Sequence, residues 1–239
     1  MGRRGLSRAV KRVPTPPEAV RRYIRFWLFE DELSSVGQAL PPIDAPALFG
    51  RPADTPMELE VGCGTGEFLC ALASANPDCL YLGVDISTQS VLFGARLAHE
   101  AQLDNILFIR GPINALYMHL RPGVFRQAYM HFPDPYVRNR GTHKMMNAPF
   151  LAALAYALAP GGRFSFVSDH EALFDEALTL VESLPGDWRK VHEERFLTGY
   201  EPPLKSRYQL KWERWQVTPR RFEVEVLPRK RTLRPAFAL

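Results

Sequence analysis

Between residues 57 and 184, short apolar runs of strand length alternate with stretches of helical period. MELEV (57–61) reads as a buried strand and leads through a glycine-rich turn into a helix from Glu67 to Ala75. LYLGVD (80–85) is a second strand, followed by a helix from Thr88 to Glu100. NILFI (105–109) is a third, with a short helix near Ile113–Leu120 after it, and RQAYMHF (126–132) is a fourth. PFLAALAYALA (149–159) is apolar nearly all round, the pattern of a buried helix, and Pro160-Gly161-Gly162 should end it. RFSFVSD (163–169) is a fifth strand and residues 170–184 form an amphipathic helix. Beyond Trp188, the stretches WRKVHEERF, YQLKWERWQV and FEVEVL alternate as antiparallel strands would. This order predicts an α/β, Rossmann-like fold: a parallel sheet with helices on both faces and antiparallel C-terminal strands. In such sheets ligands sit at the C-terminal ends of the strands.

The 239 residues suit one domain (45–219) between a basic N-terminal arm with a docking segment (1–44) and a basic C-terminal tail (220–239). Residues 1–22 are Pro-broken and expected to be mobile, whereas YIRFWLF (23–29) is aromatic enough to dock on the body. The net charge of +4 is unevenly spread. Residues 1–25 hold eight Arg/Lys against Glu18 alone, and residues 220–239 hold six against Glu223 and Glu225, so the body between them is acidic. Two basic ends on an acidic body favour a polyanionic partner. Three cysteines, Cys63, Cys70 and Cys79, fit neither a zinc ribbon nor a disulfide framework, so no metal is expected and a reduced, cytoplasmic setting is. The longest apolar run, Leu151–Ala159, is too short to span a bilayer, and the Arg-rich start lacks the apolar core of a secretory signal. A monomer or a homodimer fits equally well.

The turn after the first strand reads Glu60-Val61-Gly62-Cys63-Gly64-Thr65-Gly66. Gly62, Gly64 and Gly66 let backbone pass close to a ligand. Asp85 ends the second strand 19 residues after Gly66, where an acid can take both ribose hydroxyls. Asn114, just past the third strand, could meet an adenine edge. Glu60 would sit poorly beside a pyrophosphate but suits a cofactor carrying an ammonium and a sulfonium, namely S-adenosyl-L-methionine.

HFPDPYVRNRG (131–141) places Asp134 between two prolines, then Tyr136, Arg138 and Arg140, with Lys144 beyond. With AxFLxxLAxxLxPGGRFxxxSD (148–169) after it and ALFG (47–50) before the first strand, the chain resembles the bacterial tRNA (guanine-N(7)-)-methyltransferase family over about residues 45–217. Phe132-Pro133-Asp134-Pro135-Tyr136 matches the family's FPDPW-type motif, and Ser168-Asp169 its Thr-Asp. Ser206-Arg207-Tyr208-Gln209 is similar to its C-terminal T-K-[FY]-E. The sequence departs from the family at Asn114-Ala115, where an acid-Ala pair is usual, and at Gln209, which keeps an acceptor but loses the charge. The resemblance implies methylation of a tRNA guanine at nitrogen 7, which has an in-plane lone pair and needs no general base, so positioning and electrostatics carry the rate. On that reading Asp134 serves the methionine end and guanine, and Asp169 orients guanine. Tyr136 stacks on the base, and Arg138, Arg140 and Lys144 hold phosphates. Ser206, Arg207, Tyr208 and Gln209 close the substrate side.

Plainer roles stand beside these. Asp169 could cap the next helix, Arg138 and Arg140 could be a solvated loop, and Trp212 and Trp215 could pack the tail on the sheet. His131, on an apolar strand, reads as a packed residue rather than a base. Two other functions also remain open at this level. One is methylation of an exocyclic amine, suggested by the likeness of Asp134-Pro135-Tyr136 to a [DN]-P-P-[YF] turn. The other is an inactive RNA-binding relative, suggested by Asn114 and Gln209.

Overall fold

The computed structural model describes residues 14–27, 40–134, 145–201 and 216–228. Among these residues, nine strands form one sheet: β1 (Ile24–Trp27), β2 (Met57–Val61), β3 (Leu80–Asp85), β4 (Ile106–Arg110), β5 (Phe125–His131), β6 (Leu158–Ser168), β7 (Trp188–Lys190), β8 (Leu197–Thr198) and β9 (Arg220–Val226). Their order is β1-β4-β3-β2-β5-β6-β9-β7, with β8 also on β9. From β1 to β6 every pairing is parallel, and β9 runs antiparallel to β6, β7 and β8. The chain steps outward from β2 through β3 to β4, then returns to the other side of β2 as β5. The switch between β2 and β5 opens a crevice at their C-terminal ends.

Two short helices, α1 (Pro17–Tyr23) and α2 (Ala45–Phe49), precede β2. The connecting helices after it follow the sequence pattern closely: α3 (Glu67–Ala75), α4 (Thr88–Glu100), a 3-10 helix (Ile113–His119), α5 (Ala148–Ala157) and α6 (Glu171–Glu182). Asn147 caps α5, its side chain accepting from the Phe150 N–H at 2.8 Å, and six of the helix's ten residues are buried. That helix ends at Ala157, two residues earlier than expected, and Leu158 already pairs with Phe125 of β5. Leu158 is already extended, with φ -74° and ψ 140°, and Pro160 bars any further turn, since its ring would clash with the carbonyl four residues back and it drives Ala159 out of the helical region. The ladder then shifts register and resumes at Arg163.

The N-terminal segment is more ordered than its composition suggests. Pro17 opens α1, where its missing N–H costs nothing. Ala19 and Tyr23 are buried, and the Tyr23 hydroxyl donates to the Leu103 carbonyl at 2.8 Å. β1 then adds to the free edge of β4. The expectation of mobility through residue 22 is therefore corrected: amphipathic burial outweighs the prolines from residue 17 onward.

Phe108, at the centre of β4, is fully buried and meets three glycines. A Cβ on Gly83 would lie 2.8 Å from its ring and 2.9 Å from the Cys63 Sγ, and one on Gly94 would lie 2.9 Å from it. The ring thus seats the turn after β2 against α4. Gly83→Ala is expected to cost about 1–3 kcal/mol by overpacking, read as a Tm lowered by several degrees in a thermal melt; an unchanged Tm would mean that Phe108 moves aside freely.

Candidate cofactor and substrate site

MELEV carries two glutamates on one face of a central, fully buried strand, and their surroundings differ. Glu58 is satisfied: the Arg126 Nε donates to one oxygen at 2.7 Å and the Tyr129 hydroxyl to the other at 2.8 Å. Glu60 is 4% exposed, and its Oε2 is buried with no hydrogen-bond partner among the described residues. Burial first, then the nearby charges of Asp85 and Glu67, push its carboxyl well above the usual range. A buried acid without a partner is costly, so Glu60 is poised for a cation.

The turn beyond it is open on the ligand side. Gly62 and Gly64 have φ of 74° and 54°, and a Cβ on either would meet nothing within 4 Å among the described residues. The Gly62 and Cys63 N–H groups donate to the Val84 carbonyl at 2.8 and 3.2 Å, tying the loop to the end of β3. Asp85 is oriented by two backbone donors, the Gly64 N–H at 2.9 Å and the Ser87 N–H at 2.7 Å. Burial raises its pKa and these two bonds oppose the rise. Its carboxylate oxygens keep lone pairs for hydroxyl donors on a ligand. Past Asp85, Ile86 is 60% exposed, and Asn114 is exposed on the 3-10 helix. The sequence analysis did not single out Ile86; a large aliphatic side chain directly after the acid that ends β3 was the available signal. An unpartnered acid, a glycine cradle and a preset carboxylate fit a ligand with an ammonium and a ribose.

The neighbouring crevice wall is formed by the ends of β5 and β6. His131 pairs in register with Val167, so Asp134 and Asp169 leave adjacent strands at nearly the same level. Phe132 has φ of 52°, rare for a bulky side chain, and its N–H donates to the Val167 carbonyl at 2.8 Å. That strained residue turns the chain so that Pro133 and the exposed Asp134 follow. Asp169 is not the cap of α6. His170 is, its Nδ1 accepting from the Leu173 N–H at 3.2 Å, while Ser168 Oγ accepts from the His170 N–H at 3.1 Å.

His131 is a packed residue, as expected. Its ring lies among Phe68, Tyr129 and Tyr200 at 4.9, 5.4 and 5.0 Å, and burial pushes its pKa down to about 3. It is therefore neutral, bridging Ser165 Oγ at 3.1 Å and the Tyr200 hydroxyl at 3.3 Å. Cys63 and Cys70 are buried thiols with raised pKa, Cys70 to about 12, so neither is a nucleophile. Tyr136, Arg138, Arg140, Lys144, Ser206, Arg207, Tyr208, Gln209, Trp212 and Trp215 lie outside the described residues. Upstream of that last group, Thr198-Gly199-Tyr200-Glu201 also carries a T-x-[FY]-E pattern and keeps its Glu.

A family profile described as "Putative methyltransferase" matches residues 54–216, well over half of the chain. A tRNA (guanine-N(7)-)-methyltransferase of Rubrobacter xylanophilus is 43% identical over 225 residues, 94% of this chain and 99% of that one. The chain belongs to the tRNA (guanine-N(7)-)-methyltransferase family. Another member, from Chloroflexus aurantiacus, is 38% identical over 171 residues, 71% of this chain and 75% of that one. Among solved structures, an antibiotic-related methyltransferase superposes with a TM-score of 0.55 at 16% identity, covering 79% of this chain and 94% of that one. The antibiotic-resistance methyltransferase Kmr gives 0.53 at 18%, covering 73% and 88%. At those identities the likeness is one of fold: a Rossmann-like class I methyltransferase sheet. Among the described residues of this family member, no helix is long and apolar enough to cross a membrane.

Proposed function

We propose that this chain methylates nitrogen 7 of a guanine in tRNA, with S-adenosyl-L-methionine as the methyl donor. The observation that carries the reading is the unpartnered Glu60 carboxyl at the mouth of an open glycine cradle, in a chain that belongs to this family. When bound, that donor supplies a methyl group on a sulfonium. Glu60 holds the ammonium, and Gly62 and Gly64 allow close backbone approach. Asp85 takes the ribose hydroxyls, while Ile86 and Asn114 flank the adenine. Gly66 seats the loop on α4, a Cβ there meeting Gly94 and Phe108 at 3.1 Å. Asp134 and Asp169 face the reacting end, where a purine that gains positive charge is favoured by nearby carboxylates. Tyr136, Arg138, Arg140 and Lys144 take the base and phosphates, and Thr198–Glu201, with Ser206–Gln209, close the substrate side. Because Glu201 retains the acid that Gln209 lacks, the inactive-relative reading loses its main motive.

The test is incubation of purified protein with labelled S-adenosyl-L-methionine and an unmodified tRNA transcript, followed by nucleoside mass spectrometry. The label is expected in 7-methylguanosine; label on another base, or none, would overturn the reading.

The basic arm enters the fold on the same side. Thr15 Oγ1 donates to the Leu92 carbonyl at 2.9 Å, near the start of α4 and so close to the end of β3. Residues 1–13 hold five Arg/Lys and no acid. Their deletion is expected to weaken tRNA binding and flatten its salt dependence by roughly 0.7–0.9 log units for each phosphate the arm neutralises, without lowering Tm. An unchanged slope in a salt titration would say that the arm is idle. Deletion through residue 22 would be a different experiment, because it removes most of α1.

A further inference from the structure

Two consecutive arginines open β9, and they face opposite sides of the sheet. Arg220 lies on the α6 side and is neutralised there: it donates to Glu171 at 2.7 Å and Asp175 at 3.3 Å, with its guanidinium 5.1 Å from the Phe196 ring. Arg221 faces the other side, as the alternation with buried Phe222 and Val224 requires. The registers of β5, β6 and β9 put it in one cross-strand row, His131–Val167–Arg221. Asp169 follows Val167 by two residues and Asp134 follows His131 by three, so the row borders the reacting end of the site. Tyr200 bonds to His131 and is near enough to Arg221 for its charge to act on the hydroxyl. Yet among the described residues Arg221 has no carboxylate partner, and its Nε is buried without a hydrogen bond. The nearest acid on its own strand and face, Glu223, is engaged by Arg163 at 3.5 Å.

The carboxylates of Asp85, Asp134 and Asp169 at these strand ends repel a polyanion that must enter the site. A guanidinium at the rim, without a counter-ion among the described residues, answers that repulsion, and its planar fork matches a phosphate. We propose that Arg221 holds a phosphodiester of the substrate RNA beside the reacting base. This rests on the reading of the site as one that methylates tRNA.

The experiment compares full-length wild type with Arg221→Gln, Arg221→Lys and Arg220→Gln. It measures the salt dependence of tRNA affinity, kcat and KM for an unmodified transcript, cofactor affinity by calorimetry, and Tm. Arg221→Gln is expected to raise the KM for tRNA about tenfold and to reduce the salt slope by roughly 0.7–0.9, the contribution of one phosphate. Cofactor affinity and Tm should stay at wild-type values. Arg221→Lys should recover the slope but only part of the affinity, since a point charge replaces a fork. Arg220→Gln should lower Tm and leave the slope alone. A wild-type salt slope and KM in Arg221→Gln would overturn the assignment. So would a loss in either Arg221 variant that only tracks a fall in Tm or cofactor affinity, which would make Arg221 structural. Wild-type protein that methylates no tRNA would instead overturn the reading beneath it, and the control reveals this before any variant is compared.

Discussion

Glu60→Gln should make the unliganded protein more stable while all but abolishing cofactor binding. The carboxyl is buried, its Oε2 has no partner among the described residues, and Asp85 and Glu67 add like charge, all of which hold its folded-state pKa well above the ordinary value. In the unfolded chain it titrates near the usual glutamate value of about 4.3. The folded state therefore retains a proton that the unfolded state has released. Stability is intact below about pH 4.3 and declines as pH rises through the folded-state value, by about 1.4 kcal/mol per unit in that window. Glutamine removes the titration and offers N–H donors to the neighbouring carboxylates. Its Tm should exceed wild type by several degrees at neutral pH and converge with it near pH 4. Without the carboxylate the cofactor's ammonium is left buried and unpaired, which costs about 3–5 kcal/mol, or at least about 100-fold in affinity. Wild-type binding should also release a proton, so its calorimetric heat should vary with the ionisation enthalpy of the buffer. A variant that melts below wild type at every pH, or binds the cofactor as well, would show that Glu60 is an ordinary core acid.

Asp134→Ala should stop methyl transfer with tRNA binding nearly intact. Asp134 sits in a turn set by the left-handed Phe132 and by Pro133, at the switch point beside β2. On the proposed reading, a carboxylate there would stabilise charge arriving on the purine, an effect realised only as the reaction proceeds. The expected result is a kcat lower by about 100- to 1,000-fold. The Kd for tRNA should change by no more than about threefold, because the substitution removes no cation that neutralises a phosphate. Single-turnover kinetics alongside filter binding separate the two effects. Near-normal turnover would remove Asp134 from the reaction.

Local pattern settled much of this protein in advance. Residue alternation and helical period placed the five strands and the helices between residues 57 and 184 to within a few residues, because each element buries one face and its period records which. The exception was the start of β6, where Leu158 is already extended and Pro160 prevents the helix from continuing. That Glu60, the glycines, Asp85, Asp134 and Asp169 lie at neighbouring strand ends was also legible, since the ends of parallel strands are adjacent in space however far apart they lie in sequence; their roles rest on the proposed function. What only the tertiary structure decided were differences between like residues. Glu58 and Glu60 are two apart in one strand, but Arg126 and Tyr129 arrive from β5 to satisfy the first and leave the second open. Arg220 and Arg221 are adjacent, but α6 supplies carboxylates to one face only. His170 takes the cap that Asp169 could have filled, and α1 docks where its prolines suggested loose chain. In each case the partner is brought by a distant segment, and no local pattern encodes which long-range neighbour will arrive.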